Sequence, residues 1–229
     1  MAGRLLAVGR SADVLDHAPG LVLRTYRDGS SAEREAEVME HARAHGYPVP
    51  AVERAHGPEL VLERIDGPTM LADLLRRPWR LRRHARTLAE LHRRLHRIPA
   101  PEWLATPFGP ESALLHLDLH PDNVLLGPSG PVVIDWVNAA RGPPAADVAQ
   151  TWILVATSLP PGGPRERLLA RAGRSAFLRL FLAELDEDAA ARRLPEVAAA
   201  RLEDPNVPEE EREAIRRLAP SARRAIEHP

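Results

Sequence analysis

His116-Leu117-Asp118-Leu119-His120-Pro121-Asp122-Asn123 is the stretch that says most about the fold of this 229-residue chain, together with the later run Val132-Val133-Ile134-Asp135-Trp136. Asp118 lies five residues before Asn123, and Asp135 lies twelve residues after it. Phosphoryl transfer asks a protein mainly for positioning, charge neutralisation and an aspartate that orients the attacking hydroxyl. The pattern is typical of such a site, with Asp118 as that aspartate and with Asn123 and Asp135 holding Mg²⁺ against a triphosphate.

The spacing between Asn123 and Asp135 predicts a hairpin. Two short apolar runs are separated by the turn residues Gly127-Pro128-Ser129-Gly130-Pro131. An antiparallel pairing that sets Leu126 opposite Val132 also sets Asn123 opposite Asp135, with about 4.5–5.5 Å between their Cα atoms. Hard oxygen ligands favour Mg²⁺ over Zn²⁺, so both side chains are candidate magnesium ligands.

These segments resemble those of a known family. His116–Asn123 is similar to the H-x-D-x-x-x-x-N catalytic loop of the aminoglycoside phosphotransferase (phosphotransferase enzyme) family, and Ile134-Asp135-Trp136 is similar to its metal-binding I-D-[WF]. Asn138–Ala149 resembles the segment G-x-P-x-x-D-[LV]-A that follows in the family, with Asp147 as its aspartate. The resemblance extends from near the N-terminus to about residue 158.

The resemblance implies an α+β, bilobal protein-kinase-like fold. Residues 1–66 would form a small N-terminal lobe with an antiparallel sheet, one helix and a hinge at its end. Residues 67–229 would form a mainly helical C-terminal lobe with the catalytic loop and the metal-binding hairpin. The implied activity is Mg²⁺-assisted phosphorylation of a small-molecule hydroxyl by ATP or GTP. Members of the family act on aminoglycosides, other antibiotics, amino alcohols and sugars, so the acceptor stays open.

The resemblance also implies which residues contact the nucleotide. All 31 basic residues are arginine, so no lysine can bind phosphate here. Arg24, in the predicted strand Leu21–Tyr26, occupies the position of the family's nucleotide-contacting basic residue, and Glu35 would pair with it. A planar guanidinium suits bidentate phosphate binding. A solvated strand arginine is the alternative.

Two further segments would complete the nucleotide site. Gly9-Arg10-Ser11 resembles a phosphate-covering loop, in which Gly9 and Ser11 face the β- or γ-phosphate, although an ordinary hairpin turn fits these residues equally well. Leu60–Gly67 resembles the strand and hinge that join the two lobes. Backbone groups of Glu63 and Ile65 would hydrogen-bond the adenine there.

Helical periodicity predicts most of the remaining elements. The first helix is predicted at residues 31–45, with Ser30 or Ser31 as its N-cap. A second helix, at residues 78–97, carries many arginines, interpreted as a solvated face rather than a nucleic-acid or membrane surface, and a structural, hydrogen-bonded His92. Further helices are predicted at residues 147–158, 165–185, 189–202 and 209–219.

Three polar residues are predicted to support the loop around Asp118. His116 and His120 would hold the loop by hydrogen bonds. Asp147 would either cap its own helix or brace the loop.

Composition excludes several classes of protein. The absence of cysteine excludes disulfides and thiol chemistry, and a net charge of −1 gives no overall attraction to nucleic acid or membranes. No apolar run approaches the roughly 18 residues of a membrane span, and no signal peptide is visible. We therefore expect a cytoplasmic protein whose partners are a nucleotide and a small-molecule hydroxyl acceptor, with its oligomeric state open.

Two other functions fit parts of the pattern. His116, Asp118, His120 and Asp122 alternate and would form one face of metal ligands on a strand, as in a metallohydrolase. Pro121 argues against an unbroken strand there. A non-catalytic, kinase-like nucleotide-binding module is the other alternative, although Asp118, Asn123 and Asp135 are all present.

Overall fold

The computed structural model describes residues 4–8, 12–158, 164–205 and 207–227. The chain divides into two compact units: the first comprises residues 1–72 and 122–139, and the second comprises residues 73–121 and 140–229. The hairpin that follows Asn123 groups with the first unit, whereas the predicted lobes of residues 1–66 and 67–229 assign it to the second. The lobe boundary stays a prediction, because these units describe only which residues contact one another.

An antiparallel sheet makes up much of the first unit. Its five strands are β1 (Leu5–Val8), β2 (Ala12–Ala18), β3 (Leu21–Tyr26), β4 (Val52–His56) and β5 (Glu59–Glu63). They are ordered β1-β2-β3-β5-β4, so β3 is the central strand and is paired on both sides. Arg24 therefore projects from the best-supported strand of the sheet, as the predicted strand at residues 21–26 requires.

Helix α1 (Glu33–Ala44) follows β3, and its N-cap residue is Ala32 rather than Ser30 or Ser31. Ser31 Oγ nevertheless accepts the N–H of Glu33, the first residue of the helix, at 3.3 Å, and the Ser31 hydroxyl hydrogen-bonds the Glu33 carboxylate. Glu33 Oε1 accepts the Gly57 N–H at 2.8 Å. The Ala32 N–H donates to the Gly57 carbonyl (2.7 Å), which fixes the start of the helix against the β4–β5 turn.

The predicted hairpin is present as β7 (Val124–Gly127) and β8 (Gly130–Val133), but its register is shifted by one residue. Leu126 lies opposite Pro131 rather than Val132. The loop contains only two residues, because Gly130 adopts a φ of +125° that lets the chain return at once. The predicted pairing of Asn123 with Asp135 is therefore wrong: the Asn123 carbonyl accepts a hydrogen bond from the N–H of Ile134 (3.0 Å).

The second unit is mainly helical. Its helices are the end of α2 (Met70–Arg76, which begins in the first unit), α3 (Leu81–Leu95), α4 (Pro144–Thr157), α5 (Pro164–Leu182), α6 (Glu187–Glu203) and α7 (Glu209–Glu227). A short antiparallel pair accompanies them, β6 (Ala113–Leu115) with β9 (Ala140–Gly142). The helix predicted at residues 78–97 begins with a 3-10 turn, Pro78–Arg80, before α3.

Helix α4 is the centre of the second unit. It packs against α5, α6 and α7, and most of its residues are buried. The core around it consists of small and branched apolar side chains, among them Ala149, Ile153, Leu194, Val197 and Ile215. Polar residues on so apolar a helix need hydrogen-bond partners, and Asp147 and Thr151 find theirs in the loop that contains Asp118. Among the described residues, no helix has the length and hydropathy of a membrane span.

Gly67 packs directly against β7. A Cβ atom added at Gly67 would lie 2.1 Å from the Leu126 carbonyl oxygen. The Leu126 N–H donates to the Pro68 carbonyl at 2.9 Å, which holds the two backbone segments together. The segment after β5 thus leaves no space for a side chain at residue 67.

We expect Gly67→Ala to lower the free energy of unfolding by about 1–3 kcal/mol, the usual cost of overpacking. Urea denaturation followed by circular dichroism measures the change. Gly173→Ala is the matched control, because an added Cβ there meets nothing within 4 Å. Alanine in that helix should stabilise by roughly 0.5–1 kcal/mol. Equal denaturation midpoints for Gly67→Ala and the wild type would contradict the close contact.

Candidate active site

Asp118 lies in a constrained loop immediately after β6. Leu117 adopts a left-handed backbone, with φ +57°, which is uncommon for a residue other than glycine. The Asp118 N–H donates to Nδ1 of the fully buried His116 at 3.2 Å. The Asp118 side chain remains 19 % exposed, and His120 Nε2 lies 3.9 Å from its Oδ1. A carboxylate on a fixed backbone is thus left accessible to a small molecule.

Helix α4 holds the peptide groups on both sides of Asp118. Asp147 Oδ1 accepts the Leu117 N–H at 2.7 Å, and the Thr151 hydroxyl donates to the Leu119 carbonyl at 2.7 Å. Asp147 and Thr151 are four residues apart and therefore share a helix face. Of the two roles predicted for Asp147, the contacts correspond to bracing the loop, because no side chain caps α4.

Two histidines of α3 complete this arrangement. His96 Nε2 lies 2.9 Å from Asp147 Oδ2, and His92 Nε2 lies 3.1 Å from the Thr151 hydroxyl oxygen. Burial alone would raise the pKa of Asp147, but the adjacent His92 and His96 lower that pKa well below its usual range. His92 is a buried, hydrogen-bonded residue, as predicted. Sequence reasoning missed Thr151 and His96. The helical spacing could have indicated both, because Thr151 lies four residues after Asp147 and His96 lies four residues after His92.

We expect Thr151→Val to lower the free energy of unfolding by about 1–3 kcal/mol, since it leaves the Leu119 carbonyl buried without a partner. Thermal unfolding should show most of this stability restored in Thr151→Ser. Thr157→Val is the control, because the Thr157 hydroxyl donates only to the Ile153 carbonyl within the same helix. A larger loss for Thr157→Val than for Thr151→Val would contradict the assigned contact.

In the first unit, Arg24 joins two carboxylates. Its guanidinium donates to Glu35 Oε1 at 2.8 Å and to Asp135 Oδ1 at 2.6 Å. Glu35 also accepts the Trp136 N–H at 2.8 Å and a hydrogen bond from the Tyr26 hydroxyl. The Arg24 guanidinium carbon lies 5.1 Å from the centre of the Tyr26 ring, within the range of a cation–π contact.

Burial and charge act in opposite directions on the pKa values of Arg24 and Glu35. Burial would lower the pKa of Arg24, but Glu35 and Asp135 outweigh it and raise that pKa above its ordinary value. Burial raises the pKa of Glu35, and the positive charge of Arg24 opposes that shift. The predicted pair of Arg24 and Glu35 is therefore in contact, and Asp135 is its third member.

Asn123 and Asp135 are the two candidate magnesium ligands of the first unit. Asp135 has a φ of +68°, so the chain leaves the β8 ladder there, and its side chain is 38 % exposed. Asn123 is buried immediately before β7, and its backbone carbonyl accepts a hydrogen bond from the N–H of Ile134. The amide oxygen of Asn123 and the carboxylate oxygens of Asp135 form an all-oxygen ligand set, which fits Mg²⁺.

The remaining predicted nucleotide contacts are the loop residues Gly9 and Ser11 and the backbone groups of Glu63 and Ile65. Gly9 and Ser11 lie outside the described residues. The Glu63 N–H already donates to the Ala51 carbonyl at 2.9 Å, so only its carbonyl could accept from a base. The Ile65 backbone makes no hydrogen bond to any described residue.

The structure does not support the alternating metal ligands of a metallohydrolase. Residues 116–120 form no strand, and Leu117 reverses the backbone within them. His116 is fully buried, and its Nδ1 accepts a hydrogen bond from the backbone.

Comparison with known protein families identifies the family of this chain. The sequence profile of the phosphotransferase enzyme family (APH) matches residues 4–111 and 93–185. The chain belongs to the phosphotransferase enzyme family. This confirms the resemblance of the motifs and the expectation that the chain is a small-molecule phosphotransferase. A search of curated protein sequences found no significant match.

Solved structures similar to this phosphotransferase confirm the kinase-like α+β fold. A thermostable mutant of aminoglycoside phosphotransferase APH(4)-Ia, in a ternary complex with AMP-PNP and hygromycin B, has a TM-score of 0.67 at 17% identity, covering 96% of this chain and 93% of its own. A choline/ethanolamine kinase family protein from Mesorhizobium loti has a TM-score of 0.59 at 16% identity, covering 100% and 89%. Plasmodium vivax ethanolamine kinase has a TM-score of 0.58 at 12% identity, covering 87% and 72%.

Proposed function

We propose that this phosphotransferase transfers the γ-phosphoryl group of ATP or GTP to a hydroxyl group of a small molecule. The observation that carries the proposal is the accessible Asp118 carboxylate on a loop whose flanking peptide groups are held by Asp147 and Thr151. Catalysis of phosphoryl transfer is mostly positioning, and a carboxylate on a fixed backbone is suited to orienting an attacking hydroxyl.

In the proposed reaction, Asp118 accepts a hydrogen bond from the acceptor hydroxyl and takes its proton as the oxygen bonds to the γ-phosphorus. The bond between that phosphorus and the oxygen bridging to the β-phosphate breaks, and ADP or GDP leaves with that oxygen. The phosphorylated product departs, and Asp118 then loses the proton to water. No redox step or covalent enzyme intermediate is required.

Arg24 is proposed to contact the nucleotide phosphates. Its guanidinium carries five N–H donors, and the hydrogen bonds to Glu35 and Asp135 use two of them. The ion pair with Glu35 would hold the guanidinium while its remaining donors bind phosphate oxygens. Tyr26 and the Trp136 N–H fix Glu35 in turn.

Mg²⁺ would be held by Asn123 and Asp135, whose oxygen donors fit that ion. Bound there, it would neutralise negative charge on the β- and γ-phosphates. Asp135 can take this role through Oδ2, since Arg24 contacts Oδ1 and the side chain is partly exposed.

The base is proposed to lie against the chain after β5. The Glu63 carbonyl would accept a hydrogen bond from the adenine amino group, and the Ile65 N–H would donate to the neighbouring ring nitrogen. Gly9 and Ser11 would cover the phosphates. ATP and Mg²⁺ are abundant in the cytoplasm, where we propose that the enzyme works.

The acceptor is proposed to be a small hydroxylated molecule. The relatives named above point to two chemistries, because one is bound to hygromycin B and another is an ethanolamine kinase. A panel of aminoglycosides and amino alcohols is therefore the first acceptor screen. Screening each compound with ATP and with GTP also determines the donor preference.

The test begins with the nucleotide. We expect AMP-PNP to bind the wild type more tightly in the presence of Mg²⁺, and Asp135→Asn to abolish that difference, because the variant loses one carboxylate ligand. Isothermal titration calorimetry measures both affinities. Asp66→Asn is the control, an exposed aspartate of the same unit paired with Arg64. An unchanged Mg²⁺ effect in Asp135→Asn would remove Asp135 from the metal site.

A further inference from the structure

A cluster of potential metal ligands lies beneath the loop that contains Asp118. His92 lies in the last turn of α3 and His96, one turn further on, is the C-cap residue of that helix; Asp147 faces them from α4. Each of the three offers one ligand atom, and these atoms all lie within 4.8 Å of one another. All three side chains are buried or nearly so, with 0 %, 9 % and 0 % exposure in the order His92, His96 and Asp147.

The hydrogen positions around Thr151 determine the tautomer of His92. A threonine hydroxyl has one proton, and Thr151 directs it to the Leu119 carbonyl at 2.7 Å. The contact at 3.1 Å between that hydroxyl oxygen and His92 Nε2 must therefore be donated by the histidine. In a neutral imidazole this leaves Nδ1 with a bare lone pair.

That lone pair points into the cluster without a partner. His92 Nδ1 is buried and makes no hydrogen bond among the described residues. It lies 3.5 Å from Asp147 Oδ2, which is longer than a usual hydrogen bond. Two electron-rich atoms this close in a buried site are stabilised by a cation between them.

We propose that His92 Nδ1, His96 Nε2 and Asp147 Oδ2 bind one Zn²⁺ ion. Two imidazole nitrogens and one carboxylate oxygen are a common zinc donor set, with bonds of about 2.0–2.2 Å and a tetrahedral arrangement. Such bonds separate neighbouring ligands by about 3.3–3.6 Å, close to the 3.5 Å between His92 Nδ1 and Asp147 Oδ2. A water molecule would complete the tetrahedron.

The surroundings suit a bound ion. Thr151 fixes the His92 ring through Nε2, as supporting groups around metal sites do. The Phe181 ring lies 5.3 Å from the His92 ring and shields that side. His96 borders an open cleft of about 380 Å³, which gives Zn²⁺ and its water a route from solvent.

Binding would move one proton without breaking the contacts that hold the loop. The proton on His96 Nε2 moves to Nδ1 as Zn²⁺ takes its place beside Asp147 Oδ2, so the ring stays a neutral ligand. Asp147 Oδ1 keeps the Leu117 N–H, because a different oxygen serves the metal. The ion would thus join α3, α4 and the loop, independently of whether the chain transfers phosphate.

The test is a calorimetric titration of the metal-free, full-length protein with Zn²⁺ in excess Mg²⁺. We expect one equivalent of Zn²⁺ to bind. The midpoint temperature of thermal unfolding should rise with Zn²⁺ concentration. Co²⁺ in place of Zn²⁺ should give the intense visible absorption of tetrahedral coordination.

Three variants identify the ligands. His96→Gln should abolish stoichiometric binding while it keeps the contacts of Asp147 and Thr151 to the loop. Thr151→Val should weaken binding about 10–100-fold, as the loss of a supporting group does. His41→Gln/His45→Gln is the matched control, because that pair of histidines is also one turn apart, on α1 with its rings 4.5 Å apart, and could bind zinc adventitiously.

Binding that survives in the α1 double variant and disappears in His96→Gln would support the site. No binding by the folded wild type would overturn it. Wild-type affinity in His96→Gln, or loss of binding only in the α1 double variant, would overturn it as well.

Discussion

Asp118→Asn should lower turnover by roughly 10²–10⁴-fold, the usual contribution of a positioned general base. Asparagine keeps the size of the side chain but cannot take a proton from the acceptor hydroxyl. The loop should keep its shape, because Asp147 and Thr151 hold peptide groups of Leu117 and Leu119. Nucleotide affinity should stay within a factor of about three, since Asp118 is assigned to the acceptor and not to phosphate or metal.

The measurement can precede identification of the acceptor. Slow hydrolysis of ATP by water reports on the same carboxylate, and an acceptor found in the panel then replaces water. Asp122→Asn is the control within the same motif, because Asp122 accepts a hydrogen bond from the Thr69 hydroxyl and has no proposed catalytic role. Turnover by Asp118→Asn equal to that of the wild type would remove Asp118 from the mechanism, whereas lost nucleotide binding would indicate a different role.

Arg24→Met should destabilise the protein by about 3–5 kcal/mol, because it leaves Glu35 buried without its positive partner. It should also weaken nucleotide binding through the lost phosphate contact. Arg24→Lys should recover only part of either loss, since one ammonium cannot reproduce the fork that reaches both Glu35 and Asp135. Chemical denaturation measures the stability, and calorimetry measures the affinity for AMP-PNP.

Arg27→Met is the matched control for that substitution. Arg27 lies three residues further along and pairs with Asp13, but its side chain is 42% exposed. Exposed ion pairs contribute about 0–1 kcal/mol, so its loss should be small. Similar losses of stability in Arg24→Met and Arg27→Met would contradict a structural role for the buried ion pair.

The sequence predicted best where chemistry and local pattern agree. The family, the central strand with Arg24 and the contact between Arg24 and Glu35 were all read from short motifs. The hairpin register was missed because turn residues were counted as a five-residue loop, whereas Gly130 permits a loop of two residues. A shift of one residue exchanges the faces of a strand, so a small error in the turn changes which side chains meet.

The contacts that hold the loop around Asp118 could not be predicted from the sequence, for a different reason. Thr151 contacts Leu119, and His96 contacts Asp147, across separations of 32 and 51 residues along the chain. Helical periodicity predicts which residues share a face of α3 or α4, but it carries no information about which faces meet. The N-cap position of α1 differs from the prediction for the same reason, because Gly57 from a distant turn fixes the start of that helix at Ala32.

The proposed contact of Arg24 with the nucleotide phosphates, where kinases commonly employ an amine, has a practical consequence for chemical labelling. Acylating nucleotide analogues tag the side-chain amine beside the phosphates, and this sequence contains no side-chain primary amine. The Arg24 guanidinium cannot substitute as a nucleophile, because Glu35 and Asp135 hold it protonated. Proteome-wide surveys of nucleotide-binding proteins with such reagents should pass over this enzyme even when its site is filled, whereas an affinity resin that carries ATP should retain it.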